Sequence, residues 1–221
     1  PIYIKSIVDL STVRQFHFWG GEPFLTDTHL KFIENLENKK DITLYYTTNA
    51  SIWPDEQVWN LLSQFKEVKV NVSIDGVGDR FHYIRWPLKW DKVKNNLELF
   101  KNESPGNVSY MINACILPIN SFYMDTLEEF MYANFSKTAN GDPIPFNYIR
   151  GEGMMDIAKT PVKLRDVIIN KFGPDHHISK VLSLAPELPY DEMINHMEFW
   201  DQRRKLNWKE VFPDIVPYFT K

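Results

Sequence analysis

The chain has 221 residues, 43% of them hydrophobic, enough to bury one sizeable core or a core with a small appendage. Its net charge is -4 and its lysines and arginines are scattered, so no electrostatic footprint for nucleic acid exists, and no apolar run approaches the roughly 18 to 20 residues that span a bilayer. The lone cysteine, Cys115, excludes an internal disulfide framework and any multi-thiolate metal site built from this chain alone, and it fits a reducing, cytoplasmic setting.

In chain order, the first ten residues, PIYIKSIVDL, lack the layout of a signal peptide. Four apolar, β-rich runs follow: QFHFW at 15–19, ITLYYTT at 42–48, VKVNVSI at 68–74 and VSYMINACIL at 108–117. Segments with helical spacing separate them: THLKFIENLENKK, DEQVWNLLSQFK and KWDKVKNNLELFKN, with MDTLEEFMYANFSK after the last. Asp27 and Asp55 stand where N-caps belong. This strand-helix repetition predicts an α/β fold with parallel strands, either an open doubly wound sheet or a (β/α) barrel. No GxGxxG follows the first strand, which argues against dinucleotide binding.

In the third run Val68, Val70, Val72 and Ile74 share one face, while Lys69, Asn71, Ser73 and Asp75 share the other. Thr43, Tyr45, Thr47 and Asn49 likewise share a face of the second run, as do Ser109, Met111, Asn113 and Cys115 of the fourth. A central parallel strand is ordinarily apolar on both faces, so three mixed faces predict a partly open barrel around a ligand cavity. Past residue 141 a fifth strand is predicted at 144–149, then helices over TPVKLRDVIINKF and YDEMINHMEFWDQRRKL and a non-helical wrap over WKEVFPDIVPYF. The domains are accordingly 1–150, a partial barrel, and 151–221, a helical C-terminal extension and tail.

In such sheets ligands sit beyond the carboxyl ends of the strands, which here read GGEP, TNAS and SIDG. Each is ambiguous alone. Gly20 and Gly21 admit a ligand close to the backbone, but glycine pairs also serve loops for conformational reasons. Asn49 and Ser51 suit a cap, and Asp75 with Gly76 suits a turn. Arg85, beside Trp86, reads as a surface pairing or as the partner of a ligand carboxylate. The adjacent His176 and His177 diverge and read as a solvated loop pair, His17 as a hydrogen-bonded interior group, and Glu192, Glu198, Asp201, Arg203 and Arg204 as helix-surface charges.

Taken together, the ordered motifs FWGGEPFL, YYTTNAS and VNVSIDGVGDRFHYIRW resemble successive strand ends of radical S-adenosylmethionine (radical SAM) enzymes over roughly residues 11 to 120, and DQRRKLNWKEVFPDI resembles the tail of members with a short twitch extension. The resemblance implies a partial (β/α)6 TIM-like barrel binding S-adenosylmethionine across its strand ends. Gly20, Gly21 and Glu22 would meet the methionine amino group, largely through backbone, and Asn49 would line the same pocket. Ser73 and Asp75 would lie near the ribose or methionine moiety, and Arg85 would pair with the carboxylate.

The family's TNG stands here as TNA, which asks Ala50 for a backbone conformation glycine takes more easily. The CxxxCxxC loop that binds the family's 4Fe-4S cluster is absent, so no metal ligands are assigned in this chain. PIYIKSIVDLSTVRQ reads as the helix and connection that would follow that loop, so the first strand and its cysteines are expected upstream of Pro1. The resemblance thus implies, for the intact protein, reductive cleavage of the cofactor, hydrogen abstraction from a peptide or small-molecule substrate, and a reductant protein as partner. The chain alone is expected to be inert. An exposed strand edge left by truncation invites a homodimer. The alternative is a cluster-free barrel that binds a ligand or partner without radical chemistry; a hydrolase or aldolase would need a nucleophile and base that are not visible.

Overall fold

The computed structural model describes residues 9–138, 141 and 143–219; most of the segment read as a helix before the first strand lies outside them. Five strands, β1 (Gln15–Phe18), β2 (Thr43–Thr48), β3 (Glu67–Ser73), β4 (Val108–Ile116) and β5 (Phe146–Arg150), form one sheet in the order β1-β2-β3-β4-β5. β1 pairs with β2 and β2 with β3 in parallel, with His17 opposite Tyr45, Tyr45 opposite Lys69, and Thr47 opposite Asn71. A constant offset in the bonds Val68 N–H to Asn107 C=O and Ile74 N–H to Asn113 C=O extends the parallel order to β4, and Ile112 N–H to Pro145 C=O with Gly151 N–H to Ile116 C=O extends it to β5. The α/β expectation holds, with sequential strands joined by crossover helices.

Those helices are α1 (Thr28–Glu34), α2 (Glu56–Leu62), α3 (Gly78–Ile84), α4 (Trp90–Glu103) and α5 (Met124–Phe135); α6 (Val162–Phe172), α7 (His177–Leu184), α8 (Asp191–Arg204) and α9 (Trp208–Val211) follow β5. Asp55 caps α2, its carboxylate accepting the Val58 N–H at 2.9 Å. Asp27 occupies the N-cap position of α1 without a capping bond and instead pairs with Lys31 at 2.6 Å, one turn on.

The chain forms two compact units. The first comprises residues 1–73, 91–112 and 134–146. Its core follows the alternation read from the sequence: Val68, Val70 and Val72 of β3 are buried with Leu44 and Tyr46 of β2, while Lys69, Asn71 and Ser73 stay partly exposed. Trp53, Trp59, Phe100 and Tyr110 add a cluster of edge-on and tilted rings with centroids 5.0 to 6.0 Å apart.

The second unit comprises residues 74–90, 113–133 and 147–221. Its core includes Phe81, Ile116, Leu164, Met193, Met197, Trp208, Phe212 and Ile215, with Phe212 edge-on to Tyr83 at 5.4 Å. Gly151 closes β5 where only glycine fits, since a Cβ there would lie 2.6 Å from the Ile116 carbonyl oxygen and 2.7 Å from that of Met155.

Several local readings are corrected. The tail is helical: α9 is followed by 3-10 turns over Pro213–Tyr218, with Pro213 in the first turn, where a missing N–H leaves no bond unmade. Asp201 is buried rather than on a helix surface; its carboxylate accepts the Trp208 N–H at 2.7 Å and thereby ties α8 to α9. Arg204 is half-buried between two indole rings rather than solvated. His176 is not in a solvated loop: it caps α7, accepting the Ile178 N–H through Nδ1 at 3.3 Å and facing Glu128 through Nε2 at 3.2 Å. No helix among the described residues is long and apolar enough to cross a membrane.

Candidate functional site

The β1 end and the β2 end of the first unit are tied together by one carboxylate. Glu22 accepts the Thr48 hydroxyl at 2.7 Å and the Asn49 N–H at 2.9 Å, and more distantly the Phe24 N–H at 3.4 Å. Ala50 then turns left-handed, with φ +56°, and its N–H reaches Thr48 Oγ1 at 3.0 Å. Asn49 Oδ1 accepts the Ser51 N–H at 2.9 Å, and Asn96 of α4, itself buried, donates to the Ala50 carbonyl at 2.8 Å. The turn is therefore pinned on both sides, which is how an alanine holds a conformation that costs an L-residue roughly 1 to 2 kcal/mol.

Directly before Glu22 in the chain, Gly20 and Gly21 adopt φ of +90° and +62°, and a Cβ on either would meet nothing within 4 Å. Among the described residues no backbone hydrogen bond engages either glycine. The GG turn thus presents unpaired backbone amides and carbonyls to open space, a surface that a small polar ligand group can approach.

Along the mixed face of the same unit lies a cavity of about 230 Å³ lined by His17, Phe18, Trp19, Tyr45, Thr47 and Asn71. His17 engages by stacking on Tyr45, rings parallel at 4.2 Å, in place of the interior hydrogen bond expected for it. Lys69 lies 5.5 Å from the Tyr45 ring, and Trp19 is 83% exposed beside the GG turn. Planar rings, a hydroxyl and a carboxamide on one face are the complement of a flat, polar-edged ligand.

In the second unit, Asp75 and Arg85 form a pair of their own. Asp75 is buried; Oδ2 accepts Arg85 Nε at 2.6 Å, and Oδ1 accepts the Cys115 N–H at 2.7 Å. The terminal amino groups of Arg85 make no hydrogen bond among the described residues. Asn120, also buried, donates to the carbonyls of Asp75 and Cys115 at 2.9 and 2.8 Å and accepts the Leu117 N–H at 2.7 Å, so one side chain aligns two strand ends. Burial and the neighbouring Asp75 charge push the Cys115 thiol up to about 11, which keeps it protonated at neutral pH.

Of the residues singled out from sequence, then, Gly20, Gly21, Glu22, Asn49 and Ser73 belong to the first unit, with Glu22 and Asn49 in direct contact, and Asp75 and Arg85 bind each other in the second. Ser73 ends β3 on its partly exposed face. Thr48, Asn96 and Asn120 were not anticipated. Asn96 was visible in principle, as the one carboxamide in the buried stripe Val93, Asn96, Leu97, Phe100 of α4. Among the described residues no group of three or more His, Cys, Asp or Glu is placed to hold a metal ion.

No protein-family model and no curated protein matches the chain. Among solved structures it is similar to native anSMEcpe with bound AdoMet and Cp18Cys peptide, at 18% identity and a TM-score of 0.48, over 74% of this chain and 48% of that one. It is also similar to native anSMEcpe with bound AdoMet, at 20% identity and a TM-score of 0.48, over 74% and 47%. Streptococcus suis SuiB bound to S-adenosylmethionine matches at 17% identity and a TM-score of 0.43, over 91% of this chain and 40% of that one. The chain spans less than half the length of each. At these values the functional reading stands on the geometry of the site.

Proposed function

We propose that the chain is the S-adenosylmethionine-binding portion of a radical SAM-type partial (β/α)6 barrel with a twitch-like C-terminal extension. The observation that carries the reading is the Glu22 clamp: the acid that follows the doubled glycine holds the TNA turn in its left-handed form, and the GG turn directly before it in the chain has its backbone groups unspent. These residues fit the organic cofactor. The carbonyls of Gly20 and Gly21 would receive an ammonium group, Asn49 and Ser73 would supply polar edges, and the rings of Trp19 and Tyr45 would exclude water. In the second unit, taken by itself, Arg85 is oriented by Asp75 and keeps its terminal amino groups unengaged, which suits it to a carboxylate.

The residues do not fit an iron-sulfur cluster. Such a cluster takes three cysteine thiolates in this family, whereas this chain has one half-buried thiol with a raised pKa. Reductive chemistry would require ligands this chain does not carry, together with a reductant protein and a reducing, cytoplasmic setting, acting on a peptide or small molecule. The same single thiol favours a second reading, a barrel that binds a nucleoside-like ligand without radical chemistry.

Calorimetric titration with S-adenosylmethionine tests the site shared by both readings. The expected result is weak, saturable binding that Gly21→Val abolishes, because valine is strained at φ +62° and projects into the ligand space. Unchanged affinity in that variant removes the GG turn from the site. Adenosine then separates the readings: binding as tight as that of S-adenosylmethionine supports the nucleoside-only barrel.

A further inference from the structure

A second cavity, in the second unit, is not used by the proposed cofactor site. Its volume is about 180 Å³, slightly more than the roughly 150 Å³ that accommodates a benzene ring in an apolar core. Leu117, Ile119, Met155 and Met197 supply an apolar floor, with Ile119 and Met197 themselves buried. The polar groups come from one stretch of α8: His196, Trp200 and Arg204, spaced four residues apart and so stacked along one helix face.

Arg204 is an unusual group to find there. Its guanidinium carbon lies 5.0 Å from the Trp86 ring centre and 4.9 Å from that of Trp200, so it is held between two indoles. Its Nε is buried with no hydrogen-bond partner, and among the described residues no carboxylate lies within ion-pair distance of it. Two acids of the same helix have other partners: Asp201 accepts the Trp208 N–H through Oδ2 at 2.7 Å, and Glu198 pairs with Lys209 at 3.0 Å. A buried, unpaired guanidinium donor is costly unless something completes it.

His196 adds a second donor. Its Nε2 accepts the Trp200 indole N–H at 3.1 Å, so in the neutral ring the proton resides on Nδ1, which is left to donate. A pocket with an apolar floor one ring deep, an indole wall, an uncompensated cation and an imidazole N–H has one chemical complement. We infer that this pocket binds an apolar carboxylate, an aromatic ring on a short chain ending in a carboxyl group, with the carboxylate on Arg204 and His196 and the ring on the methionine and leucine floor. The inference is independent of S-adenosylmethionine, since no residue of the GG or TNA turn takes part.

Two sources present this chemistry: a free aryl acid, and a hydrophobic residue at the C-terminus of a peptide. Calorimetry on the unmodified chain with 3-phenylpropanoate, 3-phenylpropanol and N-acetylphenylalanine tests the pocket. The expected result is saturable binding of the acid, at least about tenfold tighter than the alcohol, the worth of one charged hydrogen bond. A preference for N-acetylphenylalanine assigns the pocket to a peptide end, and a preference for 3-phenylpropanoate assigns it to a free acid.

Arg204→Gln should remove the acid's advantage while leaving the alcohol's affinity unchanged, and Met155→Trp should fill the floor and block both. Equal binding of acid and alcohol, no saturable binding, or an Arg204→Gln chain that folds and still prefers the acid overturns the assignment. Circular dichroism checks the fold of each variant. The acid-against-alcohol comparison decides the matter on the unmodified chain if a variant fails to fold.

Discussion

Replacing Glu22 probes the joint on which the proposed site is built. Its carboxylate accepts two short hydrogen bonds, from the Thr48 hydroxyl at 2.7 Å and the Asn49 N–H at 2.9 Å, in a half-buried position. Bonds to a charged acceptor contribute about 1.5 to 3 kcal/mol when buried, and partial exposure places these at the low end. Glu22→Ala should therefore destabilise the chain by about 2 to 3 kcal/mol and release the Ala50 turn. Glu22→Gln should cost only about 1 kcal/mol, because the amide oxygen can still accept the Asn49 N–H while the Thr48 hydroxyl, already an acceptor for the Ala50 N–H, turns to accept from the amide nitrogen. Urea unfolding measures the loss, and amide hydrogen exchange at Ala50 and Ser51 reports whether it is local. A Glu22→Ala variant within about 0.5 kcal/mol of the parent, with protection at Ala50 unchanged, would refute the clamp.

The remaining predictions concern other joints of the same fold. Ala50→Val places a β-branched residue in a left-handed, fully buried position and should cost more than about 2 kcal/mol by urea unfolding. Asp75→Ala strands Arg85 Nε and the Cys115 N–H together and should cost about 3 kcal/mol, with little relief from salt because the acid is buried. Gly151→Ala should destabilise by at least about 2 kcal/mol, since its Cβ meets two carbonyl oxygens. Burial, reinforced by Asp125 and Glu129, raises Glu128 to about 7, so the folded chain holds that proton more tightly than the unfolded chain does. This stabilisation is fully present below the ordinary carboxylate range and is lost as pH rises through about 7. Glu128→Gln, which keeps the side chain's size beside His176, should match the parent at pH 4 and exceed it by about 1 to 2 kcal/mol at pH 8; equal stability at both pH values contradicts the reasoning.

Periodicity revealed the strands because β3 alternates strictly between core and open faces and β2 does so from Leu44 onward, and it revealed the long helices because their apolar stripes run for several turns. It missed α3, a short helix entered through Gly78 at φ +59°, and α7, whose N-cap is an imidazole in place of the usual hydroxyl or carboxylate. The strain at Ala50 was legible from TNA itself. The device that holds it was not, because Glu22 and Asn49 are 27 residues apart and only the parallel pairing of β1 with β2 brings them together. Asp201 and Arg204 were misread for a related reason: helix spacing says which residues share a face, but not that Trp208 and Trp86 will cover it. Prolines 213 and 217 suggested an extended tail, whereas the first serves as a helix start.

The central claim, that the ends of β1, β2 and β3 form the binding surface for S-adenosylmethionine, is tested most directly by titrating the cofactor into the ¹⁵N-labelled chain and mapping amide shifts. The account predicts saturable shifts concentrated at Gly20, Gly21, Glu22, Asn49, Ala50 and Ser73, absent in Gly21→Val. Shifts confined to residues away from these strand ends, or a map that Gly21→Val leaves unaltered, would contradict it.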